Sequence, residues 1–358
     1  MIFYSTNNRT RVLAALGLAL GIVLSRAEES PAPAPSASPA PVAKSSSSTD
    51  PIDALDAAQL QQAIEILRRD HVRGTQIDEL GLTRATLAGL LERLAPGASF
   101  GGEAPATAAV SPFRSEILDD RAGYVRLGSL QSENIAQLDA ALRDFSRKNL
   151  HGAVLDLRAT PASSDFALAA QVAGRFCPAG SALFTMTGPS KQGEGGFVAE
   201  GEPLYRGPLV VLIDEDTAEA AEALAATLRW NAKAMLVGTR SSGRCVEFSD
   251  VAIGDQRLRL AVSEALIAGQ SVYPRGLRPD IEVAQDPEER KEILAASLED
   301  GIGVYVFEKE RERLNEASLV AGTNPELDSE PAQPGLIDRP LQRAVDLVTA
   351  IRIFRKPG

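Results

Sequence analysis

Side chains that could act as nucleophiles are concentrated at two places in the sequence. One is the pair Ser163 and Ser164, and the other consists of Ser241, Ser242 and Cys245. A hydroxyl or thiol becomes an effective nucleophile when a neighbouring base removes its proton. Neither place has a base at a spacing that would put it alongside. These residues are therefore interpreted first as polar loop residues and, for Cys245, as a small buried thiol.

Histidine and cysteine are rare in the chain. The 358 residues include two histidines, His71 and His151, and two cysteines, Cys177 and Cys245. They form no cluster with metal-ligand spacing, so neither a metal nor another cofactor is predicted. A Ser-His-Asp triad would have to use one of the two isolated histidines, and His151 is expected to face solvent. The cysteines could pair in an oxidising compartment, but separate buried thiols are expected in a chain of this size.

The composition excludes some classes of partner. Hydrophobic residues make up 44% of the chain, enough for a sizeable core, and the net charge is −11 with no long basic run. An acidic surface repels nucleic acid and anionic membranes, so neither is expected as a partner.

The amino terminus has the pattern of an export signal. Arg9 and Arg11 precede the apolar run 12–24, which ends in a small-x-small site at Ala27. This predicts a signal peptide over 1–27 and a secreted or periplasmic protein without a stable membrane span, with an uncleaved anchor as the alternative. Residues 28–50 are rich in Pro, Ala and Ser and are predicted to be a disordered tether.

Hydrophobic periodicity divides the rest of the chain. Leucine spacing predicts a helical region over 51–100, and the Gly-, Ala- and Pro-rich residues 101–114 are predicted to be a linker. Over 115–284, short apolar runs alternate with helices, which predicts an α/β core with βαβ crossovers. Residues 285–358 are predicted to be a charged helical tail, closed by a helix over 340–353.

Within the core, the boundaries predicted from periodicity can be stated individually. The predicted strands are 123–127, 152–157, 208–213, 234–238 and 258–266, and the predicted helices are 135–148, 166–176 and 217–230.

The order of the core motifs resembles the carboxyl-terminal processing, or tail-specific, serine protease family. The motifs that carry the resemblance are GYVRLGSL, GAVLDLRATPASS, RFCPAG, PLVVLIDEDTAEAAEAL, AMLVGTRSSGRC and GQSVYPRGLRPDIEV. The resemblance implies a Clp protease/crotonase-like core, a Ser-Lys dyad that hydrolyses peptide bonds, and a polypeptide partner. Typical members have a PDZ domain before this core. Here only the linker over 101–114 lies in that place, so no PDZ domain is expected.

The resemblance implies an unusual pair at the dyad positions. Matching the family's SASE string to AEAAE puts Glu219 at the nucleophile position, and matching its GKG string to GRC puts Arg244 at the base position. The pair is separated by 25 residues, as expected for a helix, a strand and a turn between them. The family's oxyanion hole corresponds here to Ala162, Ser163 and Ala220, where glycines of the family turn are replaced.

These replacements are incompatible with the family mechanism. A lysine base must be neutral to accept a proton, whereas the pKa of arginine stays above about 12 in proteins, so Arg244 cannot act as a base. Glu219 has no hydroxyl with which to attack an amide. A structural interpretation is favoured instead, in which Glu219 completes a capping box that starts at Asp216 and pairs with Arg244.

Three hypotheses about function follow. The first is an exported, non-catalytic relative of tail-specific proteases that binds peptides or regulates an active relative. The second is an active serine-type peptidase with a displaced nucleophile. The third is a non-enzymatic scaffold, because a fold alone does not determine function.

Overall fold

The structure, a computed structural model, describes residues 51–101, 112–189, 195–307 and 335–354. The predicted signal peptide and tether lie outside these residues, as do most of the predicted linker and part of the tail. The chain forms two compact units, Met1–Thr75 and Gln76–Gly358, so the predicted helical region 51–100 is divided between them. Among the described residues, no helix combines the length and apolar composition needed to cross a membrane.

The first unit contributes one long helix to the described structure. This helix, α1, spans Ala57–Asp70 and begins with a capping box, because Asp56 accepts a hydrogen bond from the Gln59 N–H and the Gln59 side chain accepts one from the Asp56 N–H. The two reciprocal bonds satisfy backbone donors that the first turn of a helix leaves free.

Within the residues that the structure describes, the second unit contains six further α-helices and twelve strands. The helices are α2 (Glu79–Leu94), α3 (Ser132–Arg147), α4 (Phe166–Gly174), α5 (Glu219–Asn231), α6 (Pro287–Asp300) and α7 (Arg339–Phe354). The strands are β1 (Ala98–Phe100), β2 (Arg114–Leu118), β3 (Ala122–Arg126), β4 (Gly152–Asp156), β5 (Ala182–Thr187), β6 (Phe197–Val198), β7 (Leu209–Ile213), β8 (Met235–Gly238), β9 (Val246–Ile253), β10 (Gln256–Ile267), β11 (Gln270–Ser271) and β12 (Ile281–Glu282).

A parallel sheet forms the centre of this unit and confirms the predicted α/β class. Its strand order is β12-β8-β7-β4-β3-β2, in which only β2 is antiparallel to its neighbour. In β7, Val211 and Ile213 face one hydrophobic core, and Val210 and Leu212 face a second. The first core is covered by α3, α4 and α5, and the second by α6 and α7. Burial on both faces explains why these strands are continuous apolar runs.

A second, antiparallel sheet is built around the long strand β10. Its order is β1-β10-β5-β6, with β9 paired along the other edge of β10 and β11 paired at its end. Strand β1 places the end of the predicted helical region in this sheet, where Ala98–Phe100 pair with Leu260–Leu258. The β9–β10 hairpin starts two residues after Arg244 and so connects the predicted dyad to this sheet.

The carboxyl-terminal helices pack as part of the core. Helix α7 matches the predicted closing helix over 340–353, and its Leu341, Ala344 and Val348 are fully buried against the parallel sheet. Ile293 of α6 is buried in the same layer. The described parts of the predicted charged tail are therefore one of the two layers that cover the sheet.

Candidate functional site

The turn from β7 into α5 carries the predicted nucleophile position on a strained backbone. Glu219 is the first residue of α5 and has a φ of 51°, in the left-handed region that non-glycine residues rarely adopt. Strained residues of this kind persist where the surrounding structure holds them, and they cluster at functional sites. The observed torsion therefore identifies Glu219 as a candidate site residue on grounds independent of any motif.

The predicted capping box at this turn is wrong. Helix α5 begins at Glu219 with Ala218 as its N-cap, and no side chain caps it. Asp216 instead belongs to a turn organised by Asp214, whose Oδ1 accepts hydrogen bonds from the N–H groups of Asp216 and Thr217. The local sequence is compatible with both a capping box from Asp216 and a turn organised by Asp214. The backbone hydrogen bond to Arg244 favours the turn.

The structure brings Glu219 and Arg244 together through the backbone. The Glu219 N–H donates a hydrogen bond to the Arg244 carbonyl oxygen at 3.1 Å. The predicted ion pair between their side chains is wrong, because the Glu219 carboxylate pairs with Arg259 instead, with 3.4 Å between Nη2 and Oε1. The Arg244 side chain is exposed.

Arg259 is the site residue that the sequence did not reveal. It lies in β10, 40 residues after Glu219, and its guanidinium also stacks over the Phe248 ring at 4.5 Å. The only local signal is the alternation of Arg257 and Arg259 with leucines, which indicates one polar face of a strand. Pairing between the start of a helix and a distant strand leaves no trace in a single sequence.

The Glu219 carboxylate is almost completely buried and electrostatically compensated. Its residue is 4% exposed. Burial raises the pKa of this carboxyl, while Arg259, Arg244 and hydrogen bonding from Ser164 lower it in part. At the first turn of α5 the carboxylate also lies at the positive end of the helix dipole, which favours its charged form.

The predicted oxyanion-hole residues meet at the start of α5, but their donor is occupied. The Ala220 N–H donates to the Ser163 carbonyl oxygen at 3.0 Å. Ala162 is exposed, and the Ser163 hydroxyl accepts a hydrogen bond from the Asp165 N–H. An oxyanion at this position would have to displace the Ser163 carbonyl from Ala220 to gain that donor.

The loop that carries Arg244 is held in place by a second buried carboxylate. Glu222 is fully buried one turn after Glu219, and its Oε1 accepts hydrogen bonds from the Ser241 hydroxyl and from the Gly243 N–H at 2.9 Å. Gly243 has a φ of 73°, and a Cβ there would lie 2.3 Å from the Pro274 carbonyl oxygen, so only glycine fits. Burial raises the pKa of Glu222, and these hydrogen bonds lower it in part.

The other candidate nucleophiles of this loop are not available. The Ser241 hydroxyl donates to Glu222 and accepts from the Leu277 N–H at 2.6 Å, and the Ser242 hydroxyl accepts from the Arg244 N–H. Cys245 is fully buried, and burial raises the pKa of its thiol well above the usual value, with Glu222 and Glu264 adding to the effect. A thiol held in this state is a poor nucleophile.

The isolated cysteine and histidine are not part of this site. Cys177 and Cys245 are both free and buried, and burial raises the pKa of Cys177 to about 11. His151 is half-buried and precedes the amino end of β4, whereas Glu219 follows the carboxyl end of the parallel neighbour β7. His151 therefore lies at the opposite edge of the sheet.

A cavity of about 460 Å³ opens beside the candidate site. Apolar walls formed by Phe166, Met186 and Phe197 face polar groups that include Ser164 and Glu247. The Glu247 carboxylate accepts a hydrogen bond from Ser263 at 2.7 Å. Because Ser164 also interacts with Glu219, this cavity adjoins the predicted dyad.

Two further ion-pair clusters fix the elements around the site. Arg158 follows β4 and is fully buried between Asp156 and Asp338, with Nη2–Oδ2 distances of 2.7 Å and 2.8 Å. Asp338 in turn accepts a hydrogen bond from the Leu341 N–H and so starts α7. Arg290 of α6 contacts Asp214 at 2.9 Å, directly after β7.

Comparisons with known proteins agree with this architecture. Residues 121–283 match peptidase family S41. Over 186 residues the chain is 29% identical to a carboxyl-terminal-processing protease of Synechocystis sp., which covers 50% of this chain and 42% of that protein. Over 177 residues it is 31% identical to a carboxy-terminal-processing protease of Bartonella bacilliformis, which covers 47% of this chain and 40% of that protein. The matched region thus spans less than half the length of these relatives.

The chain is also similar to a protein of known structure. The photosystem II D1 C-terminal processing protease has a TM-score of 0.42 and 25% sequence identity to the chain, over 52% of this chain and 50% of that one.

Proposed function

From the match of residues 121–283 to peptidase family S41, we propose an exported, tail-specific-protease-like protein that binds polypeptides without cleaving them. The observation that carries the proposal is the ion pair between the buried Glu219, at the predicted nucleophile position, and the partly exposed Arg259. A carboxylate held in this way replaces the hydroxyl that would attack a peptide bond.

Three chemical features support the loss of Ser-Lys catalysis. The side chain at position 219 has no hydroxyl, and the guanidinium of Arg244 stays protonated at any physiological pH. The Ala220 N–H is already bonded to the Ser163 carbonyl oxygen at 3.0 Å. Loss of a single oxyanion donor costs a serine protease roughly 10²–10³-fold in rate, so the three changes together leave little activity.

Two features support continued binding of an extended polypeptide. The cavity beside Ser164 offers apolar walls to a side chain. Within the described part of the chain, β9 is hydrogen bonded to β10 along one edge only. A strand with a free edge can accept an extended peptide through main-chain hydrogen bonds. Export is supported by the basic flank, apolar run and small-x-small site of residues 1–27.

The proposal is tested by measuring binding and cleavage on the same sample. Purified protein is incubated with unfolded casein and with a labelled peptide that has an apolar carboxyl-terminal tail. We expect saturable binding of the peptide and no new amino termini. Cleavage by the unmodified protein would overturn the proposed loss of activity. Capture of a protein partner without peptide affinity would favour the scaffold hypothesis.

A second candidate function, a serine-type hydrolase, is favoured by the position of Ser164. Its side chain lowers the pKa of the Glu219 carboxyl, which burial raises, and Ser164 lines the adjacent cavity. In this mechanism Ser164 Oγ attacks a carbonyl carbon while its proton passes to Glu219. The protonated Glu219 then gives this proton to the leaving group as the bond between that group and the carbonyl carbon breaks, and water hydrolyses the resulting acyl-enzyme. Hydrolysis that disappears in Ser164→Ala and in Glu219→Gln, but persists in Ser242→Ala, would establish it.

A further inference from the structure

A second cavity, of about 610 Å³, lies where α7 crosses the parallel sheet. Its walls are mainly apolar and come from the starts of β7 and β8 and from one face of α7. The lining residues include Arg206, Leu209, Lys233, Met235, Leu347 and Ala350.

This cavity is separate from the candidate site. Leu209 and Met235 are the first residues of β7 and β8, whereas Glu219 follows the carboxyl end of β7. Parallel strands place these two ends at opposite edges of the sheet. A ligand in this cavity would therefore leave the site at Glu219 accessible.

The ionised side chains that line the cavity are cationic. Among the lining residues that the structure describes, the two ionised side chains are the cations Arg206 and Lys233. Arg206 pairs with the exposed Glu202 at the protein surface. The Lys233 ammonium donates to the Trp230 carbonyl oxygen at 2.8 Å and lies 5.7 Å from the centre of the Trp230 ring. An anionic group at the cavity mouth would meet a positive field.

The backbone at Lys233 adds an independent observation. Lys233 follows the end of α5 with a φ of 55°, a conformation that glycine or asparagine usually occupies at a helix end. Lysine is a costly choice there on backbone grounds. Compared with glycine, lysine adds an ammonium group at this position.

The walls favour a hydrocarbon chain over a peptide. A buried peptide segment would need partners for each N–H and C=O group. Apart from the two cations, the lining residues are apolar or glycine, so their side chains supply few hydrogen-bond partners for a peptide. An alkyl chain needs none, and each buried CH₂ contributes about 0.8 kcal/mol.

We propose that this cavity binds a free amphiphile with one unbranched alkyl chain and a single carboxylate headgroup. The chain lies along Leu209, Met235 and Leu347, and the headgroup is held by Lys233, with Arg206 nearby. Binding is reversible and involves no covalent step.

The single tryptophan of the chain provides the assay. Trp230 is the only tryptophan and contacts Lys233, so its fluorescence should respond when a carboxylate engages that ammonium. We expect a saturable change with dodecanoate below its micelle concentration. Affinity should increase about fourfold for each added CH₂ from decanoate to tetradecanoate, the fold-change that corresponds to about 0.8 kcal/mol. Dodecyltrimethylammonium, with the same chain and a positive headgroup, should bind at least tenfold more weakly.

Variants separate binding from stability. Lys233→Gly should leave the melting temperature unchanged or raised, because glycine suits the left-handed torsion, while dodecanoate affinity falls tenfold or more. Ala350→Phe should reduce affinity by filling the cavity. Lys291→Met, which removes an exposed lysine of α6, is the matched control and should bind like the unmodified protein.

Several results would overturn the proposal. They are equal binding of the cationic amphiphile, no dependence on chain length, or unchanged dodecanoate affinity in a folded Lys233→Gly variant. Binding to vesicles of anionic phospholipid without binding of free dodecanoate would overturn it as well, because the ligand would then be a membrane surface.

Discussion

The carboxylate of Glu219 is paired with the guanidinium of Arg259, whose Nη2 lies 3.4 Å from Oε1. Glu219 opens a helix that covers the parallel sheet, and Arg259 lies in the antiparallel sheet, so the pair joins the two layers at the candidate site. Arg244 acts on this carboxylate at longer range and contacts Glu219 directly through its carbonyl oxygen. The charge at the nucleophile position is therefore held mainly by Arg259.

The first prediction compares the two arginines. Arg259→Met removes the partner of a buried carboxylate and should lower the free energy of unfolding by about 1–3 kcal/mol, less than for a fully buried pair because Arg259 is partly exposed. Arg244→Met should change it by less than about 0.5 kcal/mol. Urea denaturation measures both. Adding Glu219→Gln to Arg259→Met should recover part of the loss, and equal effects of the two arginines would contradict the pairing.

The second prediction concerns restored catalysis. Glu219→Ser with Arg244→Lys returns a hydroxyl and a titratable amine to the dyad positions, and slow cleavage of the labelled peptide should appear. Ser163→Gly keeps the carbonyl that accepts from the Ala220 N–H but widens the torsions allowed at this residue, so the carbonyl can turn away from the donor and the rate should increase further when this change is added. Glu219→Ala with Arg244→Lys, which has the base and no nucleophile, is the control. Equal activity in this control would refute the assignment of position 219.

The third prediction concerns the Arg244 loop. Glu222→Ala leaves the Ser241 hydroxyl and the Gly243 N–H without their acceptor, and each unsatisfied buried donor costs about 1–3 kcal/mol. Stability should fall accordingly, and Cys245 should react faster with a thiol reagent because the loop above it loosens. The experiment uses a Cys177→Ser background, so that Cys245 is the only thiol that can react. Glu222→Gln keeps an acceptor oxygen and should react more slowly than Glu222→Ala.

The fourth prediction is a pH dependence centred on Asp214. Burial raises the pKa of this carboxyl to about 6, and Arg290 offsets part of the effect. The folded state therefore binds this proton more tightly than the unfolded state, where the pKa is about 3.9. The stabilisation is present below about pH 4 and is lost as the pH rises to about 6. Compared with Asp214→Asn, the unmodified protein should lose free energy of unfolding across this interval, and parallel pH profiles would contradict the assignment.

The fifth prediction concerns the anchoring of α7. Asp338→Ala leaves Arg158 as a fully buried cation with only Asp156 as its partner and removes the side-chain acceptor at the start of α7. The loss of stability should be about 3–5 kcal/mol, and limited proteolysis should release the carboxyl-terminal segment first. Asp346→Ala, at an exposed aspartate of the same helix, should behave like the unmodified protein.

The central strands β4, β7 and β8 of the parallel sheet were predictable because each is a continuous apolar run. The run at 208–213 became β7, and that at 152–157 became β4, with ends displaced by one residue. A strand that is buried on both faces needs apolar residues at successive positions, so it can be recognised in the sequence. The start of α5 was displaced by two residues, because its first turn is fixed by a hydrogen bond to Arg244 and not by a side-chain cap.

The antiparallel sheet was largely missed. Strand β9 mixes polar and apolar residues over Val246–Ile253 and is mostly exposed, so its periodicity is weak. Only part of β10 was predicted, over 258–266. This gap affects the candidate site. Without the antiparallel sheet the sequence does not reveal Arg259 as the partner of Glu219, and the resemblance to the dyad points to Arg244 instead. Contacts between distant segments depend on how layers stack, which no local pattern encodes.

The left-handed torsion at Glu219 makes this position suitable for attaching a chemical probe. The φ of 51° is held by the turn after β7 and by the backbone bond to Arg244, and neither depends on which side chain is present. A cysteine placed there would be displayed at the same point beside the adjacent cavity. A fluorophore or a cross-linker attached to it would then record what enters the cleft, residue by residue. Under the proposed function, such a probe would capture bound polypeptides without cleavage.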